Sequence, residues 1–379
     1  MRLLFAIAFA LLTLSGGVRA EQPQLWNEIL SAARGQTVYW NAWGGDDRNN
    51  AYIAWVAAEI ARRYGVSVRH VKLADTAEAV TRVVAERAAG RDTNGTIDLI
   101  WINGPNLASM KQHDLLFGPF TSALPNFALV DTVGKPSTVV DFTLPVDGMA
   151  SPWLMAQLVY VYDSAGSELA GLPRSAAAML AWAKAHPGPL THPVASNFLG
   201  ATFLKQALYE LVPDPSVLQR EATNELLVPA AERLFAWYEE LRPHLWRSGR
   251  DFPENGPAMR QLLADGEIDL MISFNPAEAA LGIANGLLPE TARVLTLAGG
   301  SIGNTRFVAI PYNALHKEGA MVVANFLLEP EAQASAQDPR VIGLLTVLDV
   351  ARLPAAEQNG CQPISLETVP LEGNWRPAR

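Results

Sequence analysis

Apolar positions along the chain alternate between two periods. Thr37–Trp43 is a short apolar run of strand character, and Arg48–Tyr64 follows with Tyr52, Trp55, Val56, Ile60 and Tyr64 at helical spacing until Gly65 stops it. Ser67–Leu73 reads as a second strand, Thr76–Ala89 as a second helix closed by Gly90, and Thr96–Ile102 as a third strand broken by Asn103-Gly104-Pro105. This βαβαβ order predicts a parallel sheet with helices on both faces. Ligands of such sheets lie beyond the carboxyl ends of the strands. The corners Trp43-Gly44-Gly45 and Asn103-Gly104-Pro105 are therefore expected to face one cleft.

A second α/β region follows. Leu154–Tyr162 reads as a strand, and Ser175–His186, Asn197–Leu211, Ala230–Leu241 and Met259–Ala264 as helices. Ile268–Phe274 is a strand ended by Asn275-Pro276, and Ala277–Leu288 is helical. Arg293–Leu297 and Thr305–Ile310 are strands, and Ala320–Leu328 is a helix. There is no repeat, low-complexity tract or long linker, so two lobes are expected with a chain that crosses between them more than once.

The first twenty residues differ from the rest. Arg2, the apolar run Leu3–Leu14 and the small-residue end at Val18-Arg19-Ala20 form a secretory signal peptide expected to be cut after Ala20. The alternative, a membrane anchor, fails because the run is shorter than the ~20 residues a span needs. The 379 residues are 49% hydrophobic and 18% charged, enough for two globular domains. Cys361 is the single cysteine, which excludes lipid attachment at the cleavage site and internal disulfides. A soluble periplasmic protein is expected. The net charge is −9; without Arg2 and Arg19 the chain carries 27 basic and 38 acidic residues, or −11. With no Lys/Arg block, a nucleic-acid partner is excluded.

The order of segments resembles the extracellular solute-binding proteins of bacterial ABC importers, the type related to maltose-, thiamine- and iron-binding proteins. The carrying stretches are "TVYWNAWGG", "TIDLIWINGPNLASM", "PWLMAQLVYVYDSA", "GLPRSAAAMLAWAKAHPGPL", "LADGEIDLMISFNPAEAA" and "FVAIPYNALHKEGAMVVANFLLEPEAQ". The resemblance implies a two-lobed periplasmic binding protein of type II, closing about a hinge on a small solute and delivering it to a permease. It implies no reaction and no cofactor, and a monomer is expected. Mapped onto this chain, lobe one is residues 21–152 plus 276–330 and lobe two 153–275. Residues 331–379 are a helical tail expected on lobe two, and hinges are expected near Ser151–Trp153 and Phe274–Pro276.

Candidate ligand contacts follow from strand ends and helix starts. Gly44 and Gly45 admit a close backbone approach, Trp43 offers a flat face, and Trp40 is expected in the core. Asp47 is read as a helix cap. Asn103 and Gly104 repeat the corner logic at the third strand. Trp153 is expected at the first crossing, Asn197 and Phe198 at a helix start, and Ser273 and Asn275 at the second crossing. Each of these also fits a turn, a cap or core packing. The tryptophans favour a solute with a flat or apolar face, sugar-like or a thiamine-like heterocycle.

Two other classes share parts of this pattern. A secreted α/β hydrolase would use Gly299-Gly300-Ser301-Ile302-Gly303, but a nucleophile elbow needs a helix after the serine, and a strand is expected there. No acid lies between Ser301 and the only later histidine, His316. A sensory binding protein would share every feature of a transporter's. His186 and His192 flank a Pro/Gly loop and are read as surface turn residues, so no metal site is expected.

Overall fold

The computed structural model describes residues 18–220, 222–361 and 371–372. Most of the expected signal peptide, residues 1–17, lies outside them, as do 362–370 and 373–379 of the expected tail. Helix α1 (Val18–Ala33) leads into β1 (Thr37–Trp43), α2 (Asp47–Tyr64), β2 (Ser67–Leu73), α3 (Ala77–Ala88), β3 (Leu99–Ile102) and α4 (Gly104–Gln112). β1 pairs in parallel with β2 on one side and β3 on the other, as the βαβαβ order required. Asp46 starts α2 by accepting the Arg48 and Asn49 N–H groups, and Gly65 ends it at φ 66°. The cap is therefore Asp46, not Asp47, which is the first helical residue.

A small hairpin, β4 (Val140–Asp141) and β5 (Leu144–Pro145), precedes β6 (Ala150–Gln157) and β7 (Val159–Asp163). Then come α5 (Ala176–Ala185), α6 (Phe198–Leu211), α7 (Asn224–Leu241), α8 (Gly256–Ala264), β8 (Leu270–Ser273), α9 (Glu278–Ala284) and β9 (Ala292–Leu295). β10 (Gly303–Ala309), α10 (Lys317–Leu327), α11 (Pro330–Gln337) and β11 (Leu371–Glu372) complete the described elements that matter here. One sheet runs β2-β1-β3-β10-β6 and the other β11-β9-β7-β8. Each has its own hydrophobic core, so each is the heart of a lobe.

The sheets place the crossings away from the expected positions. β6 belongs to the first sheet and β7 to the second, with Leu158 alone between them. The return runs into β10, and the Leu158 N–H donates to the Ile302 carbonyl at 2.8 Å, so the two crossing segments are joined there. Pro152-Trp153 does not break the strand; β6 runs through it, paired with β10 and absorbing a register shift at Arg306/Phe307. Asn275-Pro276 ends β8, yet the chain stays in the second lobe, where α9 and β9 join the same core. The expected lobe boundaries at 152/153 and 275/276 are therefore corrected.

The tail is corrected as well. Ala332, Ala336, Ile342, Leu344, Val347 and Leu348 pack into the first core, not onto lobe two. Gln333 holds this segment to β6 by donating to the Trp153 carbonyl at 2.5 Å, and its own amide oxygen accepts from Thr346 at 2.7 Å. Among the tail's described residues, only Leu371–Glu372 reaches the second sheet, beside β9. Cys361 is fully buried in the first core.

Candidate functional site

A cleft of about 230 Å³ lies between the lobes. Its first-lobe wall includes Trp43, Asp46 and Arg48 at the β1–α2 corner, Trp101 on β3, Asn103 before α4, and Asn304 and Arg306 on β10. The second-lobe wall includes Asn197 and Phe198 at α6, Asn255 and Arg260 at α8, and Phe274 and Glu278 around α9. Helices α2, α4, α6, α8 and α9 thus all begin at the cleft. Their N-terminal N–H groups and dipoles give it a positive bias.

The corner works differently from its sequence reading. Trp40 is fully buried, edge-on to Trp153 at 5.9 Å, while Trp43 is half-buried and lines the cleft. The glycines serve side chains. A Cβ on Gly45 would meet the Trp43 ring at 2.7 Å, and one on Gly44 would meet Lys72 at 2.6 Å. Gly44 is not on the cleft wall; its carbonyl accepts from Asn50. Gly104 is also behind the wall: φ is +57°, and its N–H donates to buried Asp141. Trp153 is the largest departure. It is fully buried, stacked on Tyr52 at 6.1 Å and edge-on to Trp101 at 5.3 Å, because it sits mid-strand in β6 and not at a crossing.

Trp43, Asn103, Asn197, Phe198, Ser273 and Asn275 do line the cleft. Their polar groups are unequally free. Asn197 caps α6 through the Leu199 N–H. The Ser273 hydroxyl donates to Glu278 at 3.0 Å. The Asn275 amide donates to the Ile342 carbonyl in the first lobe at 2.8 Å, while its oxygen accepts the Ala277 N–H at 2.9 Å, just before α9. Asn103 stands at an N-cap position without capping, which leaves its amide to the cleft.

Residues not foreseen from the sequence dominate the electrostatics. Glu278, 3% exposed, accepts from Arg260 at 2.6 Å and lies 3.6 Å from Arg48 of the other lobe. Asp46 pairs with Arg48 at 3.1 Å and reaches Arg260 at 4.0 Å. Burial acts to raise the Asp46 carboxyl, but Arg48 and the α2 N–H groups bring it below the usual carboxylate range. Two acids and two arginines therefore neutralise one another across the cleft. Arg306 stands outside this exchange. It donates to the Asn49 side chain at 2.9 Å and lies 4.4 Å over the Trp101 ring. Desolvation pushes its pKa down to about 9, with Asp46 opposing and Arg48 adding to the fall. It remains a cation at neutral pH. Asn304-Thr305-Arg306 is an ordinary polar run at the head of β10, so no local sequence signal singles out this part of the site.

The enzyme alternative loses its geometry. Ser301 is 7% exposed and leads into β10, a strand, so no elbow is formed. His192 is not a surface residue. It is 2% exposed, stacked on Phe203 at 4.7 Å and bonded to the Tyr238 hydroxyl at 3.0 Å.

Two α/β lobes, joined by crossing strands and enclosing a cleft lined from both sides, define a periplasmic binding protein fold of type II, a class that holds its ligand between lobes. Residues 55–360 match the family model of the bacterial extracellular solute-binding proteins. The chain is 40% identical to Protein YnjB of Escherichia coli strain K12 over 345 residues, 91% of this chain and 88% of that one. The chain belongs to the bacterial extracellular solute-binding protein family. Its fold is similar to that of the spermidine/putrescine ABC transporter substrate-binding protein PotD from Streptococcus pneumoniae, at 15% identity and TM-score 0.61, covering 90% of this chain and 93% of that one. It is similar also to the periplasmic binding protein AfuA from Actinobacillus pleuropneumoniae, solved with fructose-6-phosphate, at 14% identity and TM-score 0.59, covering 83% and 85%.

Proposed function

We propose that the chain is the periplasmic component of an ABC importer, exported after cleavage at Ala20, that captures one small solute between its lobes and presents it to a permease. The observation carrying this is the pairing of Arg48 with Glu278 across the cleft at 3.6 Å. Such a contact exists only when the lobes are together, so it couples the cleft's contents to lobe position. The hinge is the pair of segments at Leu158 and Ile302. Trp43, Asn103, Asn197, Phe198, Ser273 and Asn275 form the ligand wall. Trp43 and Phe198 supply the flat and apolar surface that a sugar-like or heterocyclic body needs. No step of the function requires a reaction or a cofactor. The protein acts as a monomer, since the cleft is complete within one chain.

Native mass spectrometry of protein taken from a periplasmic extract tests this reading. The expected spectrum shows mature chain beginning at Glu21 with one small solute, lost on denaturation. Refolded protein should shrink in solution scattering when that solute returns. A protein that carries no solute, binds none from a broad metabolite panel and keeps one radius of gyration throughout would overturn it.

A further inference from the structure

The solute-binding reading leaves the chemical class of the solute open, and the inference here rests on that reading. The charged side chains deep in the cleft do not balance. Asp46 and Glu278 are matched by Arg48 and Arg260. Asp75, at the rim, is exposed and already accepts the Ala77 N–H. Arg306 alone has no carboxylate within 4 Å among the described residues. Asn49 takes one of its five donors, and Arg306 itself lines the cleft.

A second observation lies two residues along β10. Asn304 is 4% exposed and lines the same cleft, yet neither its amide nitrogen nor its amide oxygen has a hydrogen-bond partner among the described residues. Buried amides are ordinarily satisfied, and leaving one without partners forfeits the hydration it gave up on burial. Its donor and acceptor sit on the same strand as an unneutralised guanidinium, in a cleft onto which several helix N-termini converge. All three features favour negative charge. Cationic solutes meet the opposite arrangement, because both deep acids already hold arginines.

We propose that the solute is an organic monoanion whose oxyanion group, a carboxylate or its like-charged equivalent, seats on Arg306 beside Asn304, with its flat or apolar body against Trp43 and Phe198. One negative charge completes the neutralisation of the deep part of the cleft. The guanidinium fork matches a planar oxyanion, and the Trp101 ring beneath Arg306 fixes the fork's plane. This narrows the sugar-like or heterocyclic class to its acidic members and sets aside thiamine-like cations.

The test begins with the solute released from natively extracted protein. It should bind to an anion exchanger at pH 7 and carry a single negative charge. Its primary amide should bind refolded protein at least tenfold more weakly than the acid. Arg306→Gln should weaken acid binding at least tenfold and amide binding by a clearly smaller factor, so that the preference for acid over amide collapses, and Arg306→Lys should recover part of the loss. Asn304→Asp, which adds an internal anion without adding bulk, should compete with the solute and produce a similar loss, so it serves if Arg306→Gln does not fold. If no solute is released, matched pairs serve as probes by thermal shift: benzoate against benzamide, gluconate against glucose. The proposal is overturned if the released solute is neutral or cationic, if acid and amide bind equally, or if both charge variants bind as the parent does. If neutral or cationic members of a broad metabolite panel bind and no anion does, the anion assignment alone falls; if nothing in the panel binds and the radius of gyration never changes, the solute-binding reading fails and the anion assignment with it.

Discussion

Trp40 and Trp43 stand three residues apart on one strand and serve different regions. Trp40 joins Trp153 and Tyr52 in a closed aromatic cluster inside the first lobe. Trp43 lies at the strand's end, where its ring folds over Gly45 onto the cleft and meets Trp101 edge-on at 6.4 Å. Trp101 links the two regions, touching Trp153 on one side and Arg306 on the other. The same indole therefore acts as core filling or as binding surface according to where the strand stops. In the core its worth is stability; at the cleft, on the proposed function, it is affinity.

The strongest way to break this comparison is to truncate both rings. Trp40→Ala should cost ~3–5 kcal/mol of stability, read by chemical denaturation, since it opens a cavity among packed aromatics. A loss below about 1 kcal/mol would show that the cluster collapses around the gap, and that core and cleft rings are alike.

Next in size is the charged bridge. Glu278→Gln removes the negative charge that Arg260 and Arg48 share, and breaking such a buried pair should cost about 3 kcal/mol. Part of the loss belongs to the contact between lobes, so scattering should show a larger radius of gyration for the variant. An unchanged radius with full stability would mean that the bridge holds nothing together.

Trp43→Ala should leave denaturation nearly unchanged and weaken binding of the co-purified solute by ~1–3 kcal/mol, the scale of aromatic stacking. Unfolding of this variant, or unaltered affinity measured by calorimetry, would place Trp43 with the core.

The smallest effect is on pH. Burial pushes His192 down to about 4 and Asp141 up to about 6. The depressed histidine stays neutral in the fold while the unfolded chain protonates, so its stability contribution is lost as pH falls from 6.5 towards 4. The raised carboxyl has the opposite sign, because its contribution is present below 3.8 and is lost as pH rises through about 6. Between pH 7 and 5.5 the two nearly cancel. Asp141→Asn should unmask the histidine as an acid-side loss on the order of 1 kcal/mol in that window. A flat profile for this variant between pH 7 and 5.5 would show that His192 does not titrate low.

The first elements were legible to a residue or two, whereas α7 begins at Asn224, six residues before the expected Ala230, and α9 ends at Ala284, four before the expected Leu288. β1 and β2 fall within their expected bounds, and α2 begins at Asp47 beside the foreseen Arg48. The cleft edges at Trp43, Asn103, Asn197 and Phe198 were also legible, because strand ends and helix starts carry Gly, Asn and Pro signals. The crossing at Leu158 was not. It lies inside the apolar stretch from Leu154 to Tyr162 and bears no turn residue, since both neighbouring strands are buried and the chain passes between lobes without bending back. Trp153 was misplaced for the same reason. Pro152 reads as a break, yet the register shift at Arg306/Phe307 lets β6 continue through it.

Fold class and family followed from the order of short-range patterns, because the periods of helices and strands are set by neighbouring residues. The electrostatics of the cleft did not. Arg48 meets Glu278, and Asn275 meets Ile342, only after two lobes are folded and brought together. Arg306 is an ordinary arginine in the sequence. Its lack of a carboxylate partner arises because Asp46 and Glu278 are claimed by Arg48 and Arg260. Charge pairing depends on distances between residues far apart in the chain, and only the tertiary structure sets those distances.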